Sequence, residues 1–216
     1  MSNHYISYTG HVCTSLAAMQ RKYIDDRFME GVNDCEVTEG VLMKAPVTLE
    51  EELEWYDKLS SQKGNVIFAV LAKTGCPDDP YMVLGHTGIH KIVYPDAHGS
   101  SGTLLWRKEL FQKGHGTEAK LLLLHHAFNV LGLRKVTSEV KAFNARSLGH
   151  LIKCGYEIVG RRREHHLHNR KLVDEIQLEV FYEDFEPIWE KYNETKSLPT
   201  LTKVQRKLVT RETKTE

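Results

Sequence analysis

The sequence predicts an α+β domain in which helices flank a mixed, mostly antiparallel sheet with one central strand-helix-strand crossover. Three observations carry this expectation. Helix-period segments come first and are followed by short β-branched runs separated by turns, so the strands of that middle group pair antiparallel. A single glycine-rich turn, "KGHG", joins a short strand to a long apolar helix and a further strand, which is one crossover and not a repeating series. Two alternating segments joined by "HNRK" close the pattern as a hairpin.

The elements follow in order. Leu16, Met19, Tyr23 and Ile24 recur at helical spacing, so a first helix is expected over residues 15–30, with a break at 30–34. In "TLEEELEWYDKL", Thr48 and Glu51 have capping-box spacing and acidic residues fill the first turn of a second helix. Leu53, Trp55, Tyr56 and Leu59 supply its apolar face. "NVIFAVLA" is a buried strand closed by the turn "KTGCPDDP", and "YMVLGHTGIHKIV" pairs with it as a hairpin. "YPDAHGSSG" is a loop and "TLLW" a third short strand. The apolar helix spans residues 117–131 and is closed by Gly132. Val136, Ser138 and Val140 alternate along the next strand, and "NARSLGHLIKCG" is a short helix from Asn144 to Gly155. In the closing hairpin, "YEIVGRRREHHL" and "LVDEIQLEVF", Ile176, Leu178 and Val180 share one face. A last helix covers 184–192. Residues 1–195 thus read as one domain. Residues 196–216 read as a polar basic tail, interrupted by Pro199 and poorly ordered.

Composition narrows the function. The 216 residues suffice for one substantial core, and 41% hydrophobic with 27% charged residues is ordinary for a globular protein. A formal net charge of zero gives no basic signature for DNA or other nucleic acid. The longest apolar run, around Leu121 to Leu124, is too short to cross a membrane, and the first residues lack the pattern of a secretory signal. Cys13, Cys35, Cys76 and Cys154 lie far apart with no CxxC pair, which suits reduced thiols in a cytoplasmic protein and no metal site.

The glycine turn is the main chemical signal. A strand feeding such a turn and then a helix presents unpaired N–H groups at the positive end of the helix dipole, where a phosphate or diphosphate rests. Gly114 and Gly116 allow close approach of the backbone, and Lys113, His115 and Thr117 add donors. The plain alternative is a tight connection with no ligand. "GHGTEA" also has the form G-x-G-x-x-A, with Glu139 twenty residues beyond Ala119, so a nicotinamide or flavin nucleotide is a second candidate. The turn lies mid-chain, however, and a hairpin follows it in place of a second βαβ unit. G-x-x-x-x-G-K-[ST] is absent.

"FQKGHGTEAKLLLLHHAF" resembles the acetyl-CoA diphosphate loop of the GNAT N-acetyltransferase superfamily, and especially the branch acting on the N-termini of ribosomal proteins. "FNARSLGHLIKCGYEIVGRRRE", "VDEIQLEV" and "GVNDCEVTEG…TLEEELEWYDKL" resemble further segments of that branch in the same order, over residues 15–189. The resemblance implies a GNAT-like fold and acetyl-CoA as co-substrate, with transfer to a primary amine on a small molecule or a protein N-terminus. It departs at Phe111, three residues before Gly114, and at Leu151, where the superfamily's Tyr general acid would fall.

The resemblance further implies that the strand around Leu104, Leu105 and Trp106 polarises the thioester carbonyl through a backbone N–H. Amides from Gln112, Lys113, Gly114, His115, Gly116 and Thr117 would hold the diphosphate. Ser147 is the candidate to protonate the leaving thiolate, with Asn144 contacting the pantetheine arm; both also suit simple helix capping. An alkylamine with a pKa near ~10.4 arrives protonated, so a base is needed. The superfamily's carboxylate in this strand aligns with His166, and Glu164 lies two residues earlier, on the same face by strand alternation. Imidazole chemistry suits a base near neutral pH. A solvated polar strand is the bland reading of "RREHHLH". Zinc on His165, His166 and His168 is disfavoured because adjacent strand residues point apart. His125 and His126 read as packing or surface residues. A non-catalytic acyl-CoA-binding module stays open, as does a homodimer through an exposed strand edge.

Overall fold

The computed structural model describes residues 4–41, 46–59, 61, 64–75 and 80–213. Its strands are β1 (Ile6–Thr9), β2 (Thr14–Ala18), β3 (Val66–Lys73), β4 (Tyr81–Val93), β5 (His98–Leu105), β6 (Lys135–Lys141), β7 (Glu157–His168) and β8 (Lys171–Phe181). Its helices are α1 (Asp26–Val32), α2 (Cys35–Thr38), α3 (Leu49–Leu59), α4 (His115–Asn129), α5 (Ala145–Lys153), α6 (Tyr182–Thr195) and α7 (Lys203–Glu212). The strands form one sheet in the order β1-β2-β3-β4-β5-β6-β8-β7. Among the described residues only β5 and β6 pair parallel, as the crossover through α4 requires.

Helix α4 explains the core. Leu121, Leu122, Leu123 and Leu124 are all at most 2% exposed, so the helix is covered all round instead of along one stripe. It packs against Leu16, Val70, Val136, Ile176 and Leu178 of the sheet and against α5 and α6. Each such leucine contributes about 1.5–3 kcal/mol by leaving water. On the opposite face a smaller cluster joins Phe28 and Val32 of α1 to Leu104 and Trp106, with Trp55 of α3 beside it.

Most elements stand where the sequence puts them. The capping box of α3 is formed: Glu51 N donates to Thr48 Oγ1 at 3.2 Å and Thr48 N to Glu51 Oε2 at 2.8 Å. Gly132 and Gly155 close α4 and α5 with φ of +66° and +96°. Asn169 and Arg170 turn the hairpin, both with positive φ. Residues 76–79 of the expected turn, Cys76 among them, lie outside the described residues.

Three expectations need correction. The helix over 15–30 is instead β2 followed by α1. Leu16 and Ala17 are both fully buried because β2 lies inside the sheet, between β1 and β3, with both faces covered, and this imitates a helical count. Asp25, whose carboxylate accepts from Phe28 N at 2.9 Å, marks the true helix start. Second, "HGSSG" belongs to β5 and not to a loop. Third, the tail is structured over residues 196–213 and carries a helix. Thr202 and Gln205 form a capping box for α7, Val209 is 8% exposed, and Leu198, Leu201 and Leu208 pack against the main core. These apolar residues are few in a basic segment, yet their spacing lets them share one buried side.

Candidate active site

Strands β5 and β6 pair only over His98–Ser100 and Lys135–Thr137. Beyond that point β5 stays with β4 and β6 stays with β8, so the two diverge. Ser138 Oγ donates to Ser101 O at 3.2 Å where they part. The gap opens into a cleft of about 880 Å³ bounded by β5, β6, α4 and α5.

The N-terminus of α4 forms one lip. Gly114 is the N-cap with φ +96°, a conformation costly for any residue with a Cβ, and no side chain caps the helix. The first amide bonded within the helix is that of Glu118, to Gly114 O at 3.0 Å. The N–H groups of His115, Gly116 and Thr117 therefore have no partner inside the helix, at the positive end of its dipole. That donor set fits a diphosphate. Gln112 precedes it in a left-handed turn, φ +62°. The His115 ring is drawn aside to Thr14 Oγ1 at 3.0 Å, and burial pushes its pKa down. Lys113 is exposed and, unlike Gln112, Gly114, Gly116 and Thr117, does not line the cleft. Arg146 of α5 lays its guanidinium 4.0 Å over the Phe111 ring, adding a positive group that no sequence pattern announced.

Glu118 sits one residue beyond the free amides but faces elsewhere. Its carboxylate accepts from the N–H groups of Val12, Cys13 and Thr14, each at 2.7 Å, and from the Tyr192 hydroxyl. Burial alone would raise its pKa; the bonds from Tyr192 and the three amides outweigh it and hold the carboxyl below its ordinary value. It ties the β1–β2 turn to α4 and α6.

Along β5, Trp106 N donates to Leu84 O at 2.9 Å. Antiparallel alternation then directs the N–H groups of Leu104 and Trp106 at β4 and that of Leu105 at the gap. Leu104 and Leu105 line the cleft, whereas the Trp106 ring lies 4.8 Å from Phe28 in the smaller core. Of the three residues expected at the thioester, Leu105 alone turns its N–H to the gap, and Trp106 directs its ring away as well.

On the other lip, Asn144 caps α5 by accepting from Ser147 N at 3.0 Å, and both residues line the cleft. The Asn144 amide comes so close to Gly40 that a Cβ there would meet Nδ2 at 2.4 Å. Lys141 Nζ donates to the carbonyls of Glu39 and Val41, holding the chain after α2 against β6. Deeper in, Lys120 is 1% exposed and donates to Ser101 Oγ at 2.9 Å, which also pairs with Tyr156 OH at 2.7 Å. Burial brings the Lys120 pKa down to about 8. Burial and the neighbouring Lys120 charge bring His150 down to about 3. Its Nε2 is buried without a partner among the described residues.

The closing hairpin departs from simple alternation. Arg162 faces Glu175, but the next aligned pair is His166 with Val173, so β7 carries a bulge of two extra residues. Glu164 occupies that bulge with φ +52°; it is exposed and absent from the cleft, and its N–H donates to Asp174 Oδ1 at 2.8 Å. The expected shared face of Glu164 and His166 is lost because the bulge resets the count. His166 does reach the cleft, with Nε2 paired to Glu175 Oε2 at 2.9 Å. Glu175, 4% exposed, also accepts from Arg162 Nη1 at 2.7 Å. The bulge also brings His165 and His166 together, with ring centroids 4.9 Å apart. Ligand-type atoms of His165, His166 and Glu175 lie within 4.8 Å of one another, while His168 pairs with Glu39. On α4, His126 bonds Tyr8 OH at 2.7 Å and His125 stacks on Trp189.

A split parallel pair with an uncapped helix N-terminus at its mouth offers a donor set that fits a diphosphate-bearing coenzyme. Residues 16–157 match the family described as Acetyltransferase (GNAT) domain, and the chain belongs to that family. It is an N-acetyltransferase with acetyl-CoA as co-substrate. The fold is similar to that of spermidine N-acetyltransferase from Vibrio cholerae, solved with CoA and spermine. That similarity has TM-score 0.72 and 17% identity and covers 80% of this chain and 98% of that one. A GNAT-family acetyltransferase from Bacillus anthracis is also similar, at TM-score 0.67 and 18% identity, covering 82% and 98%. A search of curated proteins gives no match. Among the described residues no helix is long and apolar enough to cross a membrane.

Proposed function

We propose that this enzyme moves the acetyl group to a primary amine by direct attack on the thioester, with His166 as the base. The observation that carries this reading is the presence of two features in one cleft: the uncapped N-terminus of α4 and a histidine held by a buried carboxylate. Acetyl-CoA, when bound, supplies the acetyl group as a thioester. The amides of His115, Gly116 and Thr117 hold its diphosphate, and Leu105 N–H polarises the carbonyl. Glu175 Oε2 accepts a hydrogen bond from His166 Nε2–H, which leaves the Nδ1 lone pair to remove the proton of the ammonium acceptor. Ser147 returns a proton to the thiolate, and Asn144 steadies the pantetheine arm.

The acceptor is a small-molecule amine or a peptide N-terminus. Resemblance of the glycine turn to the ribosomal-protein branch supports the peptide. The Vibrio cholerae enzyme, whose acceptor is spermidine, supports a small amine. The test is CoA release from acetyl-CoA across amines, polyamines and N-terminal peptides. At least one class should support turnover that His166→Ala abolishes. Turnover unaffected by that substitution refutes His166 as base. Thermal stabilisation by NAD and not by CoA would refute the coenzyme assignment.

A further inference from the structure

We infer that the C-terminal segment from Lys196 to Thr213 is the outer wall of the coenzyme site, so that acetyl-CoA binds against Leu198, Pro199 and Leu201 as well as against α4 and α5. This rests on the coenzyme reading above. Leu198, Pro199, Leu201 and Val209 line the same cleft as Gly114, Gly116 and Asn144. Two contacts fix the placement. A Cβ added to Gly114 would lie 2.4 Å from Leu198 Cδ1, and one added to Gly149 would lie 3.8 Å from Leu201 Cδ1. Gly114 caps α4 and Gly149 lies in α5, so one short segment touches both helices that bound the cleft.

The segment is held there by independent bonds. Lys196 ends α6 in a left-handed turn, φ +53°, which redirects the chain towards the cleft. Helix α7 packs on α5, and Arg161 of β7 donates to Glu212 O at 3.1 Å and pairs with its carboxylate at 3.2 Å. The cleft retains about 880 Å³ with the segment in place, within the ~300–1,000 Å³ that small-ligand sites occupy. The segment therefore bounds the site without filling it. Its apolar side chains suit the hydrocarbon of the pantetheine arm, and Leu198 stands beside the helix end that takes the diphosphate.

Charge at Leu198 provides the test, because this half-buried side chain sits next to a polyanion when the site is loaded. Calorimetric Kd values for acetyl-CoA and CoA are compared for the wild-type chain, Leu198→Asp and Leu198→Lys, together with a chain ending at Thr195. A carboxylate a few ångströms from the diphosphate should raise Kd about three- to tenfold, and an ammonium should lower it or leave it unchanged. The shortened chain should bind more weakly, with the KM of the amine changing less than the KM of acetyl-CoA. Equal Kd values for wild type, Leu198→Asp and Leu198→Lys overturn the inference, even if the shortened chain does not fold. Tighter binding by the shortened chain also overturns it, because the segment would then be an obstruction. If the wild-type chain binds neither acetyl-CoA nor CoA, the coenzyme reading itself fails.

Discussion

The two ends of the cleft are built from different material. At the α4 end the donors are main-chain N–H groups, fixed by a glycine turn and a helix axis, with no side chain capping the helix. At the β7–β8 end the proposed base rests on two side chains, His166 and Glu175, brought together by a bulge. A site made of backbone tolerates substitution wherever the turn geometry survives. A site made of side chains fails when one atom is removed. The coenzyme end should therefore degrade gradually and the base end abruptly.

The sharpest way to break that comparison is His166→Ala. It should lower kcat about 10²–10⁴-fold while leaving the Kd of acetyl-CoA within about twofold, read by steady-state kinetics and calorimetry. A small loss would mean that water or another group takes the proton. Ser147→Ala tests the opposite lip and should cost about 10²-fold in kcat, since a hydroxyl is a weak acid. An unchanged rate would leave Ser147 with only its place in the first turn of α5.

Gly114→Ala probes the backbone end. The left-handed φ and the Leu198 contact both oppose a Cβ, so Kd for acetyl-CoA should rise about tenfold and stability should fall by about 1–2 kcal/mol. Glu118→Gln separates scaffold from ligand. The folded Glu118 pKa lies below its unfolded value, so its contribution is present above the ordinary carboxylate range and is lost as pH falls through the depressed folded value. Denaturant titrations should show the variant destabilised by about 1–3 kcal/mol near neutral pH, with the gap to wild type closing in acid.

The smallest effect belongs to Lys120→Met. The folded Lys120 pKa is about 8, below the ordinary lysine value of 10.5, so the unfolded chain binds the extra proton between them. Stability conferred through this group rises with pH across that window. The variant should be relatively favoured below about pH 8 and should lose that advantage by the ordinary lysine value. A difference independent of pH would show that the Lys120 charge is fully compensated by Ser101.

The same contrast explains what the sequence reveals. The α4 cradle is legible because it is local: two glycines and an apolar run state the turn, the helix and the free amides within a few residues. The capping residues Thr48 and Asn144 are legible for the same reason. Glu175 is not, because its pairing with His166 depends on where β7 gains two residues against β8, and an alternating count assumes none. That assumption also put Glu164 on the wrong face. Trp106 falls one residue past the end of β5, and its direction depends on the pairing partner of that strand. The tail contained a local signal, Thr202 followed by Gln205, which its basic composition concealed.

The Glu118 knot has a consequence for how the chain is made. Its carboxylate gathers amides from residues 12–14 and a hydroxyl from residue 192, so the earliest strands and the last large helix meet on one mid-chain side chain. Synthesis must pass Tyr192 before that knot can be tied. Until then β1 and β2 have β3 and Glu118 as partners but not the Tyr192 hydroxyl, so the knot is completed only once α6 has been made.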